Sequence, residues 1–306
     1  MTSSNPAPRT ADELDRPRTF LPAWLRAMRP KQWTKNVLVF SAPLAAGAIL
    51  DPGVAWRAAV AFVVFALVSS AIYLVNDIHD VAEDRLHPRK RFRPIAAGEL
   101  SIPTGWVFAV LTAVAGVVIG WLISPLLAAT LVAYLLLQII YSMLLKHLPI
   151  IDLAIVSSGF LLRAIAGGVA TGIDLSQWFL LVASFGSLFM VAGKRYSEFV
   201  ALGAEAGTRK SLARYSDSYL RFAWTLAGVC VVMSYSLWAF EHRGDGPGGV
   251  QWTALSIAPF TLAMLQYAMR IDTGTAGEPE DIVMRDRVLQ VLGGIWLILI
   301  VVAVML

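Results

Sequence analysis

Long apolar stretches recur along this chain of 306 residues, and they constrain its fold more than any other feature. A helix needs about 17 to 25 mostly apolar residues to cross the hydrocarbon core of a bilayer. Hydrophobic residues make up 57% of the chain and charged residues only 15%, which excludes an ordinary soluble domain. The sequence predicts an all-α polytopic membrane protein that is surrounded by a lipid bilayer and has no nucleic acid partner.

Length and hydropathy predict about nine transmembrane helices. The predicted spans are 36–50, 54–75, 104–123, 126–145, 150–171, 177–192, 219–240, 252–270 and 288–306. Residues 1–22 are polar and Pro-rich, and we expect them to form a disordered cytoplasmic tail. Residues 23–306 then form one transmembrane domain.

Lys and Arg residues predict the orientation, because the short cytoplasmic loops of membrane proteins are enriched in these bases. Bases cluster after the second predicted span, at 85–93, and after the sixth, at 194–214, whereas the loops near 51–53 and 173–176 carry none. We therefore expect a plasma-membrane protein whose N-terminus and active site face the cytoplasm.

The stretch "NDIHDVAEDR" at 76–85 places an asparagine and four carboxylates at the end of the second span. In a helix that continues to about residue 85, Asn76, Asp80 and Asp84 lie on one face, and Asp77 lies beside the last two. Like charges at this spacing destabilise a helix, and a divalent cation would neutralise them. Oxygen ligands favour Mg²⁺, which also binds substrate phosphates. The pattern predicts a magnesium site, with a solvated and frayed helix end as the alternative.

A basic segment follows at once. "RLHPRKRFRPIAAGEL" contains five bases within nine residues, and carboxylates for a metal beside such bases are typical of a diphosphate site. We take Lys90 and Arg91 as candidate phosphate ligands. Retention of bases on the cytoplasmic side also explains this segment, but it does not explain the adjacent acids.

Four further residues are candidate contacts of a polar substrate at the membrane surface. Tyr73 lies about one turn before Asn76, although it could also be an aromatic anchor at the interface. Lys31 and Lys146 each lie at the cytoplasmic end of a predicted span and could bind phosphate, as could Lys35. Simple membrane-surface bases are the alternative.

Asp152 and Arg163 lie in the fifth predicted span. A charge well inside a membrane costs at least about 2.5 to 3.5 kcal/mol, which makes Arg163 a functional candidate. Asp152 lies three turns away on the same face, so we expect the two residues to bracket a substrate. A structural arginine that is bonded to helix-end carbonyls is the alternative.

Four segments together resemble one family. "NDIHDVAEDR" matches the N-D-x-x-D-x-x-x-D signature of the UbiA superfamily of intramembrane transferases, and "KRFRPIAAGEL" is similar to the basic segment that follows it there. "MRPKQWTKNVLVF" and "YSMLLKHLPIIDLAIVSSGFLLRAIAGG" resemble one branch, the phosphoribosyltransferases that act on decaprenyl phosphate.

The resemblance implies a helical bundle around a central cavity that opens to the cytoplasm and to lipid. It implies that a polyprenyl phosphate attacks C1 of 5-phosphoribose 1-diphosphate (PRPP) and that diphosphate leaves, a step towards cell-wall arabinan. Mg²⁺ would be the cofactor, Asp77, Asp80 and Asp84 the catalytic carboxylates, and Asn76, Asp80 and Asp84 the metal ligands. The resemblance also favours a homo-oligomer.

One departure from the family pattern bears on the substrate. Most superfamily members carry a second Asp-rich motif after the sixth span, whereas this chain reads "VAGKRYSEFVALG" there. Lys194 and Arg195 replace the expected carboxylates and are predicted to hold the 5-phosphate of PRPP. An aromatic or quinone prenyltransferase that uses an isoprenyl diphosphate is one alternative, and a non-catalytic lipid-phosphate transporter is the other.

Overall fold

The computed structural model describes residues 20–145, 148–203, 212, 214–241, 250–276 and 279–305. The described residues form helices and no strand. The α-helices are α1 (Ala23–Ala27), α2 (Ser41–Ala45), α3 (Pro52–His79), α4 (Val81–Leu86), α5 (Ile102–Ile123), α6 (Pro125–Ile140), α7 (Pro149–Thr171), α8 (Gln177–Leu202), α9 (Asp217–Glu241), α10 (Trp252–Leu255), α11 (Ile257–Asp272), α12 (Pro279–Arg285) and α13 (Arg287–Met305). Two 3₁₀ helices, Pro30–Phe40 and Lys90–Phe92, and a π-helical segment, Tyr141–Leu145, complete the chain order.

Seven helical stretches within the described residues are long and apolar enough to cross a membrane. They are α3, α5, α6 with its π-helical extension, α7, α8, α9 and α10 with α11. Helix α13 is a shorter apolar helix. The prediction of a polytopic helical membrane protein is confirmed, but the count of nine spans is not.

The first predicted span, 36–50, is wrong as a single helix. Its residues fall in the 3₁₀ helix Pro30–Phe40, in the five-residue α2 and in the turns after it. The local sequence explains the break, because Pro43 lies in this stretch and Gly47 adopts a left-handed φ of 67°. The segment packs on α3 and α7 instead. Its buried residues are Asn36 and Val39 in the 3₁₀ helix and Ala42 and Pro43 in α2.

Two other boundaries differ from the predictions. Helix α3 ends at His79, and Asp80 forms a junction with α4, so the helix is interrupted within the Asp-rich stretch. Helix α8 runs to Leu202, ten residues beyond the predicted end. Lys194 and Arg195 therefore project from a helix and do not lie in a loop.

Helix α7 joins the two halves of the bundle. Its residues Ala166 and Ala170 belong to a buried cluster with α3, α6 and Val39 of the 3₁₀ helix. Its residue Leu153 belongs to a second cluster that α8, α9 and α11 complete. The face of α7 between the two clusters borders a cavity of about 510 Å³.

Gly167 brings α7 against the 3₁₀ helix. A Cβ atom at this position would lie 1.9 Å from the carbonyl oxygen of Val39, which is a backbone atom. Only glycine permits this approach, which fixes the distance between α7 and the 3₁₀ helix Pro30–Phe40.

Arg163 fixes the same segment through polar contacts. Its Nε donates to Oδ1 of Asn36 at 2.7 Å, and its two terminal nitrogens donate to the carbonyl of Gly159 at 2.7 Å and to the hydroxyl of Tyr134 at 3.0 Å. The guanidinium also lies 4.9 Å from the ring centre of Phe65. Arg163 is 4% exposed, and these contacts favour the structural alternative over a substrate contact.

We expect Gly167→Ala to lower the melting temperature of the purified protein. Overpacking costs about 1 to 3 kcal/mol where neighbours can relax, and here the neighbour is backbone. Gly294→Ala is the matched control, because a Cβ atom there meets nothing within 4 Å. Equal melting temperatures for the two variants would show that the close approach is absent.

Arg163→Met should also destabilise the protein, because it leaves Asn36 and Tyr134 without a buried partner at a cost of about 1 to 3 kcal/mol per group. Arg57→Met, which removes an exposed arginine from α3, is the control for loss of charge. If Arg163→Met keeps the melting temperature of the wild type but loses activity, Arg163 contacts the substrate and its role is not structural.

Candidate functional site

The Asp-rich stretch forms a buried, ion-paired cluster at the C-terminal end of α3. Asp77 and Asp84 are 2% and 1% exposed. Arg93 joins them, because its Nη1 donates to Asp77 at 3.1 Å and to Asp84 at 2.6 Å. The predicted convergence of these two carboxylates is therefore present although the helix is interrupted between them.

Two further bases complete this aspartate cluster. Arg29 donates to Asp77, and its guanidinium carbon lies 4.9 Å from the ring centre of Tyr73. Arg29 has a φ of 54°, which is uncommon for a residue with a side chain, and it directly precedes the 3₁₀ helix. Lys90 lies 3.8 Å from Oδ1 of Asp84. The cluster thus places carboxylates and bases within contact distance, as a diphosphate site requires.

Donor chemistry at the cluster fits a hard divalent cation. Oδ1 of Asp84 is buried and accepts no hydrogen bond, which leaves an oxygen for a metal. Asn76 and Asp80 are half-buried, one on the last turn of α3 and one at the junction with α4. Among the described residues, no three His, Cys, Asp or Glu side chains converge as a ready metal site. A metal here would use an amide oxygen and substrate oxygens besides the carboxylates.

The sequence pattern did not predict the roles of Arg29 and Arg93. Arg93 was one of five bases in its segment, and the spacing gave no reason to single it out. Arg91, which it did single out, lies over the ring of the adjacent Phe92. A long-range pair such as Arg29 with Asp77 has no signal in one sequence, because 48 positions separate the partners.

Arg195 belongs to a second cluster, around Asp152. Nε and Nη2 of Arg195 donate to the two carboxylate oxygens of Asp152 at 3.0 and 3.1 Å, which is a bidentate pair. The hydroxyl of Tyr141 donates to the same carboxylate at 2.5 Å, and Arg195 also pairs with Glu198. Asp152 is 2% exposed, so we assign this cluster to packing of α7 against α8.

A loop tyrosine supports the start of α7. Tyr215 donates from its hydroxyl to the carbonyl of Pro149. Burial, followed by the charge of Asp152, raises the pKa of Tyr215. Its hydroxyl therefore stays protonated and donating throughout the ordinary pH range.

A cavity lies between the 3₁₀ helix Pro30–Phe40 with the start of α2, α7 and α8. It has a polar end and an apolar wall. Lys35, Lys194, Arg195 and Glu198 form the polar end. The remaining lining residues are mostly aliphatic or aromatic; they are Leu38, Ser41, Val156, Phe160, Ala164, Phe179, Val182, Ala183, Gly186, Ser187, Met190 and Val191. Such a lining suits an amphipathic ligand that has an anionic head.

The other predicted site residues are dispersed. Lys31 is exposed on the 3₁₀ helix, and Lys146 lies outside the described residues. Arg163 and Asp152 do not bracket a common space, because each bonds a different neighbour. Arg163 does not line the cavity, although Phe160 and Ala164 on the same helix do.

Comparison with known proteins identifies the fold and the family. Residues 37–284 match the UbiA prenyltransferase family. A structure of a UbiA homologue from Archaeoglobus fulgidus bound to DMAPP and Mg²⁺ superimposes with a TM-score of 0.69 at 14% identity, covering 93% of this chain and 99% of the other.

Relatives with a named activity are more similar in sequence. A decaprenyl-phosphate phosphoribosyltransferase from Mycobacterium tuberculosis is 52% identical over 89% of this chain and 91% of its own length. Proteins of the same name from Corynebacterium glutamicum and Mycolicibacterium smegmatis are each 50% identical, over 94% and 92% of this chain and 88% and 92% of their own lengths. The chain belongs to the UbiA prenyltransferase family.

Proposed function

We propose that this protein transfers the 5-phosphoribosyl group of PRPP to the phosphate of decaprenyl phosphate and releases diphosphate. The observation that carries the proposal is the identity of about 50% to phosphoribosyltransferases of that name, along about nine-tenths of both chains. The aspartate cluster with its bases supports the proposal because it has the chemistry of a diphosphate site, and the amphipathic cavity supports it because its lining suits a lipid with an anionic head.

The aspartate cluster is the proposed donor site. Asn76, Asp80 and Asp84 would hold Mg²⁺, which would neutralise charge that develops on the departing diphosphate. Lys90 and Arg93 already lie at the cluster and can donate charge-assisted hydrogen bonds to phosphate oxygens. Asp77, which Arg29 and Arg93 contact, orients these two guanidinium groups.

The reaction needs no general base. The phosphate of the acceptor is already anionic near neutral pH, so one of its oxygens can attack C1 of the ribose directly. The new C1–O bond forms as the bond between C1 and the diphosphate oxygen breaks, and the electron pair leaves with diphosphate. We expect inversion at C1, which NMR of the product would detect.

The residues of α8 disfavour an isoprenyl diphosphate as the donor. Two facing sets of carboxylates hold such a donor in most family members, by the resemblance described above. Here the corresponding segment offers Glu198 as its only carboxylate, and Arg195 pairs with it. A metal has no second carboxylate in this segment.

The proposal extends to the cellular setting. The basic segment beside the aspartate cluster would face the cytoplasm, where PRPP is soluble, and the lipid acceptor would arrive from the plasma membrane. The product would be a lipid-linked pentose phosphate for cell-wall arabinan.

The test is a reaction of purified protein with PRPP, decaprenyl phosphate and Mg²⁺. We expect release of diphosphate that depends on both substrates, with a phosphoribosylated lipid found by mass spectrometry. Transfer of a prenyl group from an isoprenyl diphosphate to an aromatic acceptor, with no use of PRPP, would show that the proposal is wrong.

A single substitution tests the donor site. Asp84→Asn should lower kcat/KM on the order of 10²- to 10³-fold, the usual effect of removing one preorganised group that stabilises transition-state charge. It should also raise the Mg²⁺ concentration that gives half-maximal activity. Glu83→Gln is the matched control, because Glu83 is an exposed acid on the same helix. If both variants and the wild type show a similar dependence on Mg²⁺ concentration, Asp84 is not a metal ligand.

A further inference from the structure

We infer that Arg93 is a built-in counter-ion, which takes the place of a metal ion between Asp77 and Asp84 and competes with that ion for Asp84. Release of Arg93 from Asp84 then couples binding of the metal to binding of the donor diphosphate. The inference rests on the proposed function for the identity of the donor. It adds a competition at one carboxylate that the proposed reaction does not itself require.

A single nitrogen of Arg93 bridges the two carboxylates. Nη1 lies 3.1 Å from Oδ1 of Asp77 and 2.6 Å from Oδ2 of Asp84. Both carboxylates are almost fully buried, so water does little to reduce the repulsion between them. A positive charge between oxygen ligands is also what a bound divalent cation would provide. Arg93 therefore performs the electrostatic role of the metal in the metal-free protein.

Asp84 is the residue at which the two cations compete. Its Oδ2 accepts a hydrogen bond from Arg93, whereas its Oδ1 is buried and accepts none. A metal on Oδ1 and a guanidinium on Oδ2 would share one negative charge and would repel each other at short range. The metal therefore binds tightly only when Arg93 has left Oδ2.

Arg93 can change its partner while the backbone stays in place. The residues that follow it anchor the chain, because Pro94 and Ile95 are buried and the amide of Ala97 donates to the carbonyl of Arg93 at 2.8 Å. The side chain of Arg93 is 26% exposed, so its guanidinium lies at the edge of the aspartate cluster. Rotation of this side chain is enough to bring it to a ligand.

Departure of Arg93 leaves neither carboxylate without a counter-ion. Arg29 also contacts Asp77, and its guanidinium lies over the ring of Tyr73, which holds it in place. Asp77 thus keeps Arg29, and Asp84 gains the metal. The exchange avoids the cost of a buried charge that has lost its partner.

A diphosphate provides the new partner for Arg93. Guanidinium groups bind phosphate oxygens through paired, charge-assisted hydrogen bonds. Movement of Arg93 to the diphosphate frees Asp84 for a metal ion that attracts the same diphosphate. Each ligand therefore raises the affinity for the other, and such coupling is reciprocal and typically about 5- to 150-fold.

The first experiment measures binding of Mn²⁺ alone to the full-length protein in detergent, by electron paramagnetic resonance of the free ion. Mn²⁺ takes the same oxygen ligands as Mg²⁺. Arg93→Gln should bind Mn²⁺ on the order of tenfold more tightly than the wild type, because Asp84 then has no guanidinium to release. Arg89→Gln, which removes an exposed base of the same segment, is the matched control and should keep the wild-type affinity. Unchanged or weaker binding in Arg93→Gln would overturn the inference.

Melting temperature provides a second measurement. Without metal, Arg93→Gln leaves buried Asp84 without its hydrogen-bonded counter-ion, so the variant should melt below the wild type and gain more from added Mn²⁺. If this variant does not fold, Arg93→Gln combined with Asp77→Asn also removes the charge that faces Asp84. The double variant should fold without metal and bind Mn²⁺ more tightly than the wild type. A double variant with the wild-type affinity for Mn²⁺ would contradict the competition.

The third measurement tests the coupling to the donor. PRPP should tighten binding of Mn²⁺ to the wild type by more than its own association with the ion in protein-free buffer explains. This gain should fall about tenfold in Arg93→Gln. An equal gain in the variant and the wild type would show that Arg93 does not couple the two ligands.

Failure of this inference differs from failure of the proposed function. Wild-type protein that forms the phosphoribosylated lipid, while Arg93→Gln binds Mn²⁺ like the wild type, overturns the counter-ion alone. Tighter binding of Mn²⁺ in Arg93→Gln, with no consumption of PRPP by the wild type, supports the counter-ion and overturns the function.

Discussion

The buried contact between Arg163 and Asn36 is the interaction on which the rest of this structure depends. A guanidinium this deep in a membrane protein needs partners for its donors, and the amide of Asn36, a helix carbonyl and the hydroxyl of Tyr134 provide them. The contact ties a short 3₁₀ helix to α7, and Gly167 allows the backbones to touch. The docked helix then places Arg29 at the aspartate cluster and Lys35 at the cavity.

Buried ion pairs form two separate clusters in the protein interior. Asp77 and Asp84 repel each other, and Arg93 offsets that repulsion by bonding both. Asp152, a buried carboxylate on α7, is neutralised by Arg195, which lines the cavity. Ion pairs buried in this way add little net stability. Their effect is to hold bases at defined positions, one set at the aspartate cluster and the other at the polar end of the cavity.

The sequence predicted the class of fold and the aspartate cluster because both depend on local patterns. Apolar length gave the spans, and spacing along one helix brought Asp77 and Asp84 together. The predictions from sequence failed for features that depend on tertiary contacts. The contacts of Arg163 with Asn36 and of Gly167 with Val39 join residues far apart in the sequence, and Asp152, which pairs with Arg195, lies on another helix, so no local pattern predicted these contacts.

The central claim is that the aspartate cluster holds the diphosphate of the donor. An electron cryo-microscopy structure with a non-reacting PRPP analogue, Mg²⁺ and decaprenyl phosphate tests it most directly. We predict density for the diphosphate beside Asp84 and Arg93. Density for the diphosphate away from the aspartate cluster, or for the lipid phosphate in its place there, would contradict this claim.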